Sequence, residues 1–352
     1  MRNMQPLEGI VVIELARLLP APLVGAILAD LGAQVIKIEI LPKGDSLRGT
    51  ELFSLLNRGK YSVALPPERL PVVLPQLLAK AHVLITNYRP QTQMEMGLSP
   101  ESLLSKHPHL VYLNITGFSD GRPGHDLNFL AESGVLDRLR LTPDGAPIVP
   151  GFLIGDLLGG SASGLIRLLA ALYHQSRTGK GSYVPVAMRD EMLRWSIANA
   201  HLYRLFKGKL PPPSMDFLSG AMPSYRVYRT ADGRYIAVAA IEEKFWQEFC
   251  DFIGRKDLIP YGRAVGEGVP HREIEEVFSK ATWVEWKVRL EGTAFCVSPV
   301  YTFEEVLQTP WAAEIWEEGF LVFSSSDKLH VPTLGEHNEW VQGRFGVEMG
   351  VG

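Results

Sequence analysis

The chain has 352 residues, more than one hydrophobic core usually fills, so two lobes are expected. Hydrophobic residues are 46% and charged residues 21%, an ordinary balance for a globular enzyme. The net charge of −4, from 35 basic against 39 acidic side chains, excludes the basic excess of a nucleic-acid binder. Two isolated cysteines, Cys250 and Cys296, argue against a disulfide framework or a zinc cluster and fit a reduced, cytoplasmic chain. Met1 to Leu7 lacks the apolar core of a signal peptide. The apolar stretch behind it is interrupted by Glu14, Arg17 and Asp30, so no membrane span is expected.

In chain order, Val11–Leu15 reads as a strand and Ala21–Leu31 as a helix ending at Gly32. Val35–Glu39, Tyr61–Leu65, His82–Thr86 and Leu110–Ile115 read as further strands, with helical patterns at Arg69–Ala79 and Pro100–Ser105. Such alternation predicts an α/β fold, a Rossmann-like and mostly parallel sheet covered by helices. A small-residue helix is expected from about Gly160 to Gln175. The prolines within Lys209–Ser214 mark a linker. Beyond it Tyr225–Arg229 and Tyr235–Ala239 read as strands and Glu243–Ile253 and Glu273–Ala281 as helices. The expected division is a large α/β domain at 1–190, a linker at 191–223, a small α+β domain at 224–310, and a segment at 311–352 that returns to the large domain.

Several familiar motifs fail. The first strand runs into Leu18-Leu19-Pro20-Ala21-Pro22 rather than G-x-G-x-x-G, which argues against a nicotinamide dinucleotide site. Thr178–Ser182 falls short of a P-loop, because His174 and Gly181 stand where Gly and Ser or Thr are needed. The run Gly159–Gly164 never satisfies G-x-S-x-G, and no histidine pair has metal-site spacing.

A set of segments, in order, carries a resemblance. They include Pro6–Leu15, Leu28–Glu39, Asn57–Leu65, Asn87-Tyr88-Arg89-Pro90, Gly124–Phe129, Gly155–Gly160, Arg177–Gly181, Cys296–Val300 and Gly335-Glu336-His337. Together they resemble the superfamily of family III CoA-transferases and α-methylacyl-CoA racemases (CaiB/BaiF type). His125 in Gly-His-Asp and the Ala240–Trp246 segment are similar to the racemase branch. The resemblance implies an interlocked homodimer, an acyl-CoA thioester as substrate and no separate cofactor, coenzyme A being part of the substrate. It also implies an enzyme of lipid metabolism that binds neither nucleic acid nor membrane.

Inverting the carbon next to a thioester carbonyl needs a base on each face and stabilisation of the enolate between them. Imidazole suits one face because its unperturbed pKa is about 6.5. A carboxyl suits the other if burial raises its pKa. His125 and Asp156 fit these roles, and the resemblance gives Glu242 the support of the imidazole. Gly159-Gly160 would let backbone N–H groups approach the enolate oxygen, the plain alternative being helix-entry packing. Asp126 is read as fixing its loop, and Asp190 and Glu191 as helix-entry or linker carboxylates. By resemblance the coenzyme contacts are Ala64, Leu65, Arg89, Gly124, Asp126, Asn128 and Phe129, with Arg17, Arg58 and Lys60 as weaker phosphate candidates. No metal ligands are assigned. Ile40, Pro66-Pro67 and Phe129 depart from the pattern. The alternative is CoA transfer with Asp156 as covalent nucleophile, and a non-catalytic acyl-CoA binder is the third reading.

Overall fold

A sheet covered on both faces needs apolar side chains on both sides of each strand, and the β-branched runs supply them. Six strands form that sheet: β1 (Val11–Leu15), β2 (Gln34–Ile40), β3 (Tyr61–Leu65), β4 (Val83–Thr86), β5 (Val111–Thr116) and β6 (Ser182–Ala187). They pair in the order β3-β2-β1-β4-β5-β6, each parallel to its neighbours, with Ile13 beside Ile36 and Leu84. This is the doubly wound order, whose crossovers reverse between β1 and β4. The computed structural model describes residues 5–140, 145–212, 215–217, 219–317 and 330–349. Met1–Met4 of the N-terminus, Pro213 and Ser214 of the proline run, and 318–329 and 350–352 of the returning segment lie outside them.

Helices α1 (Pro20–Asp30), α2 (Glu51–Asn57), α3 (Leu70–Leu78), α4 (Pro90–Glu95) and α5 (Pro100–Lys106) connect the first five strands. Helices α6 (Asp126–Glu132) and α7 (Val135–Arg138) follow β5; α8 (Ser163–Thr178) precedes β6 and α9 (Met188–Trp195) follows it. Alternation along the strands sorts the core into two layers. Ile13, Ile36, Val63 and Leu84 pack with Leu74 and Leu77 of α3. Val12, Val35, Val83 and Val111 pack with Val24 and Leu28 of α1 and Leu168 and Leu172 of α8. Each fully buried side chain of this size stabilises the fold by about 1.5–3 kcal/mol.

Charge is also buried here. Glu14, Lys37, Asp45 and Lys60 are almost wholly enclosed, with Lys37 Nζ 3.1 Å from both Glu14 and Asp45 and Lys60 Nζ 2.7 Å from Glu14. The two lysines also donate to the Ala16 and Pro22 carbonyls at 2.9 and 2.8 Å, which ties down the chain leaving β1. Burial pushes Lys60 down to about 8, against the pull of Glu14.

The chain divides into two compact units, one of residues 1–136, 150–195 and 310–352, the other of 137–149 and 196–309. The stretch read as a linker is therefore divided: α9 belongs to the first unit, and from Ser196 onward the chain belongs to the second, which opens with α10 (Ile197–Leu205). Its sheet is antiparallel, β7 (Tyr225–Arg229), β8 (Tyr235–Ala239) and β9 (Val297–Pro299), in that order. Helices α11 (Glu243–Phe252), α12 (His271–Phe278) and α13 (Trp283–Leu290) surround an aromatic core of Tyr228, Trp246, Phe249, Phe278 and Trp286, and α14 (Phe303–Leu307) follows β9. Arg138 bonds to Asp216 and, at 3.2 Å, to the Pro211 carbonyl, which holds the 137–149 loop to this unit.

The chain then returns to the first unit through α15 (Pro310–Glu317) and α16 (Asn338–Phe345). Its contact is with the edge strand β3. His337 and Asn338 bond to the backbone groups of Ser62 and Ala64, at 2.9–3.2 Å, so the open edge is covered. Trp340 stacks on Tyr61, and Val341, Phe345, Val347 and Met349 complete the core beside α3. Among the described residues no helix is long and apolar enough to cross a membrane.

Candidate active site

The loops leaving the C-terminal ends of the strands converge on the switch point, where doubly wound sheets bind ligands. His125 is the N-cap of α6, and its backbone N–H donates to Asn128 Oδ1 at 3.0 Å. Phe129 anchors that helix in the core, meeting Phe118 edge-on at 5.3 Å. Gly124 is required by packing, since a Cβ there would lie 2.5 Å from the Phe118 ring. Asp156 sits in the first turn of a π-helix, Gly155–Ala162, that continues directly into α8. Its backbone N–H donates to Asp126 Oδ1 at 2.9 Å. Asp126 thus joins the two segments, being the neighbour of His125 in sequence and the partner of Asp156 in space.

His125 and Asp156 line one cleft of about 500 Å3. Leu18, Leu19, Leu47, Leu52, Leu153 and Met188 give it largely apolar walls, and Asn87, Arg89, Thr116 and Arg122 are its other polar side groups. Burial raises the Asp156 carboxyl from 3.8 to about 6; the neighbouring Asp126 carboxylate pushes the same way and His125 pulls it back. The first turn of a helix favours an anion by about 0.3–1 kcal/mol.

Other expected contacts are distributed differently. Arg89, Gly124 and Phe129 line the cleft, whereas Asp126 and Asn128 act as the hydrogen-bond partners just described. Ala64 and Leu65 end β3, and both backbone polar groups of Ala64 are taken by Asn338. Arg17 lines a second hollow of about 300 Å3 with Ile40, Lys43 and Tyr88, and its backbone is bonded to Asn87. Glu242 is exposed in the other unit, at the N-cap of α11.

Two expectations need correction. Arg58 and Lys60 are not surface cations: Arg58 is buried against Asp30 at 3.0 Å, and Lys60 against Glu14. Gly159 and Gly160 lie within the helix and not at its entry. A Cβ on either would come within 2.9 Å of Met188, so close packing explains them. Glu191 opens α9 and pairs with Arg167 at 2.8 Å. Sequence reasoning passed over Leu153, Met188, Lys43 and Arg122; of these only Arg122 had a signal, standing three residues before His125.

The sequence profile of CoA-transferase family III matches residues 7–335. The chain belongs to that family. Among family III relatives, the alpha-methylacyl-CoA racemase of Mus musculus is 32% identical over 315 residues, 86% of this chain and 79% of that one. The succinate–glutarate CoA-transferase of Agrobacterium fabrum is 31% identical over 336 residues, 87% and 82% of the two chains. The crystal structure of Rv3272 from Mycobacterium tuberculosis superposes with a TM-score of 0.79 at 29% identity, covering 95% of this chain and 98% of that one. A CaiB/BaiF family protein from Brucella suis gives 0.77 at 27% identity, with 97% and 99% covered. Racemases and transferases stand at similar distance from this family III enzyme.

Proposed function

We propose that the chain interconverts (R)- and (S)-2-methylacyl-CoA thioesters. One base takes the α-proton, and the C–H electron pair enters the thioester as an enolate. The other base then delivers a proton to the opposite face. The reading rests on His125 and Asp156 lining one cleft, with the Asp156 carboxyl raised to about 6. At pH 7 such a group is protonated in about one molecule in ten, so both its acid and its base forms are available. Arg89 is the proposed phosphate contact, coenzyme A being part of the substrate. The apolar walls suit a hydrocarbon acyl chain. The active form is proposed to be a cytoplasmic homodimer in which Glu242, from the same or the partner chain, supports the imidazole. The similarity to the mouse racemase is consistent with this reading.

The test is incubation of a single enantiomer of a 2-methylacyl-CoA in deuterium oxide. Deuterium at the α-carbon and loss of optical purity, with no second acid present, are expected. The competing reading, covalent CoA transfer through Asp156, draws on the transferase relative. It requires instead no exchange, dependence on an acceptor acid and an intermediate trapped by hydroxylamine.

A further inference from the structure

Arg122 lines the cleft, yet its guanidinium is engaged by protein groups. Nη1 and Nη2 donate to the two oxygens of Glu132, the former at 2.7 Å, and Nε donates to Asp120 Oδ2 at 2.9 Å. Its backbone N–H closes the same turn on Asp120 Oδ1 at 3.1 Å. The guanidinium carbon lies 3.8 Å from the centre of the Phe118 ring, the ring that packs on Phe129. Glu132 is the last residue of α6 and His125 is the N-cap of the same helix. One side chain therefore ties the loop that carries the imidazole to the far end of the helix that begins with it.

Isolated surface ion pairs contribute little, because solvent screens them and ordering two long side chains has an entropic cost. A two-pronged arginine shared by two carboxylates and stacked on a ring is the exception, since its planar fork dictates where each partner sits. Two carboxylates against one guanidinium also leave no surplus positive charge here for an anionic acyl group.

We infer that Arg122 is a positioning residue: the Asp120–Arg122–Glu132 clamp sets the reach of His125 toward the substrate carbon without touching the substrate. This rests on the two-base reading above. The two bases serve opposite hands of the substrate; inversion uses both and slows equally from either hand, whereas loosening the clamp penalises α-proton exchange without inversion only for the hand that His125 deprotonates.

The experiment measures deuterium wash-in into the uninverted substrate, separately from each pure enantiomer, alongside thermal unfolding. His125→Ala first shows which hand depends on the imidazole. Arg122→Met is expected to lower wash-in from that hand by about tenfold or more, as displacement by an ångström can. Wash-in from the other hand should change by less than about threefold. Glu132→Gln, which keeps the arginine, should give the same asymmetry more weakly and serves if Arg122→Met does not fold. Arg122→Lys should recover only part of the loss, because it restores charge but not the fork. Equal losses from both hands, or no loss from either, would overturn the clamp. Absence of deuterium from the α-carbon of both hands in the unaltered protein would instead overturn the two-base reading, and the clamp with it.

Discussion

Glu14 and Asp156 are carboxylates of the same unit, and they are treated in opposite ways. Glu14 is completely enclosed but lies between two ammonium groups, 3.1 Å from Lys37 and 2.7 Å from Lys60. Asp156 is only partly enclosed, and the groups that act on it are a second carboxylate and an imidazole. Its carboxyl is pushed up to about 6. Burial leads that rise, the Asp126 carboxylate adds to it and the His125 imidazole opposes it. Two ammonium partners hold Glu14 in a network that fixes the chain behind β1, whereas the Asp156 carboxyl in the cleft is able to gain and lose a proton near neutrality.

Exchanging the two kinds of environment tests that contrast. Asp156→Asn removes one base and should lower racemisation by about 100- to 10,000-fold; racemisation within a few-fold of the unaltered protein would break the contrast at its functional end. Glu14→Gln removes the carboxylate beside the buried Lys60 and one of the two beside Lys37, and should destabilise the larger unit by about 3–5 kcal/mol, read from urea unfolding. Unchanged stability there would mean the network is dispensable.

A smaller effect sharpens the comparison. The folded pKa of Asp156 is raised, so its contribution favours the fold below pH 4 and is lost as pH rises through about 6. Asp156→Asn should therefore be more stable than the unaltered protein at pH 8, by about 1–2 kcal/mol after allowing for solvent access, and no different below pH 4. Calorimetry at the two pH values checks this. The smallest effect is expected from Asp126→Asn. The amide oxygen can still accept the Asp156 N–H, but the neighbouring negative charge is gone. The limb of the pH–rate profile that belongs to Asp156 should move down by less than about one unit; an upward shift would contradict the electrostatic account.

Much of the larger unit was legible because its strands are short apolar runs with punctuation at each end. Val11–Leu15 and Tyr61–Leu65 coincide with the strands observed. Ser182–Ala187 was not anticipated: it contains Pro185 and mixed polarity, and pairing with β5 is what makes it a strand. The helix expected from Gly160 begins earlier, at Gly155, because glycines that looked like a loop signal are packing glycines against Met188. Arg58 and Lys60 show a different limit. Nothing local distinguishes a phosphate-binding cation from a buried one; their partners Asp30 and Glu14 lie 28 and 46 residues away. The meeting of His125 and Asp156 at one cleft is likewise invisible to periodicity, since it depends on loops brought together by the sheet order. Only the ordered set of motifs pointed to it.

The covering of β3 by α16 bears on how this protein is made. Ala64 meets Asn338 across 274 residues of chain. Between them the ribosome must deliver the whole of the smaller unit, residues 137–149 and 196–309. Vectorial synthesis thus completes the smaller unit before α16 emerges and leaves the earlier-made sheet with an unsealed border. Nascent chains at that stage are natural clients for chaperones. A purification tag or fusion placed behind residue 349 would load the very segment that finishes the job.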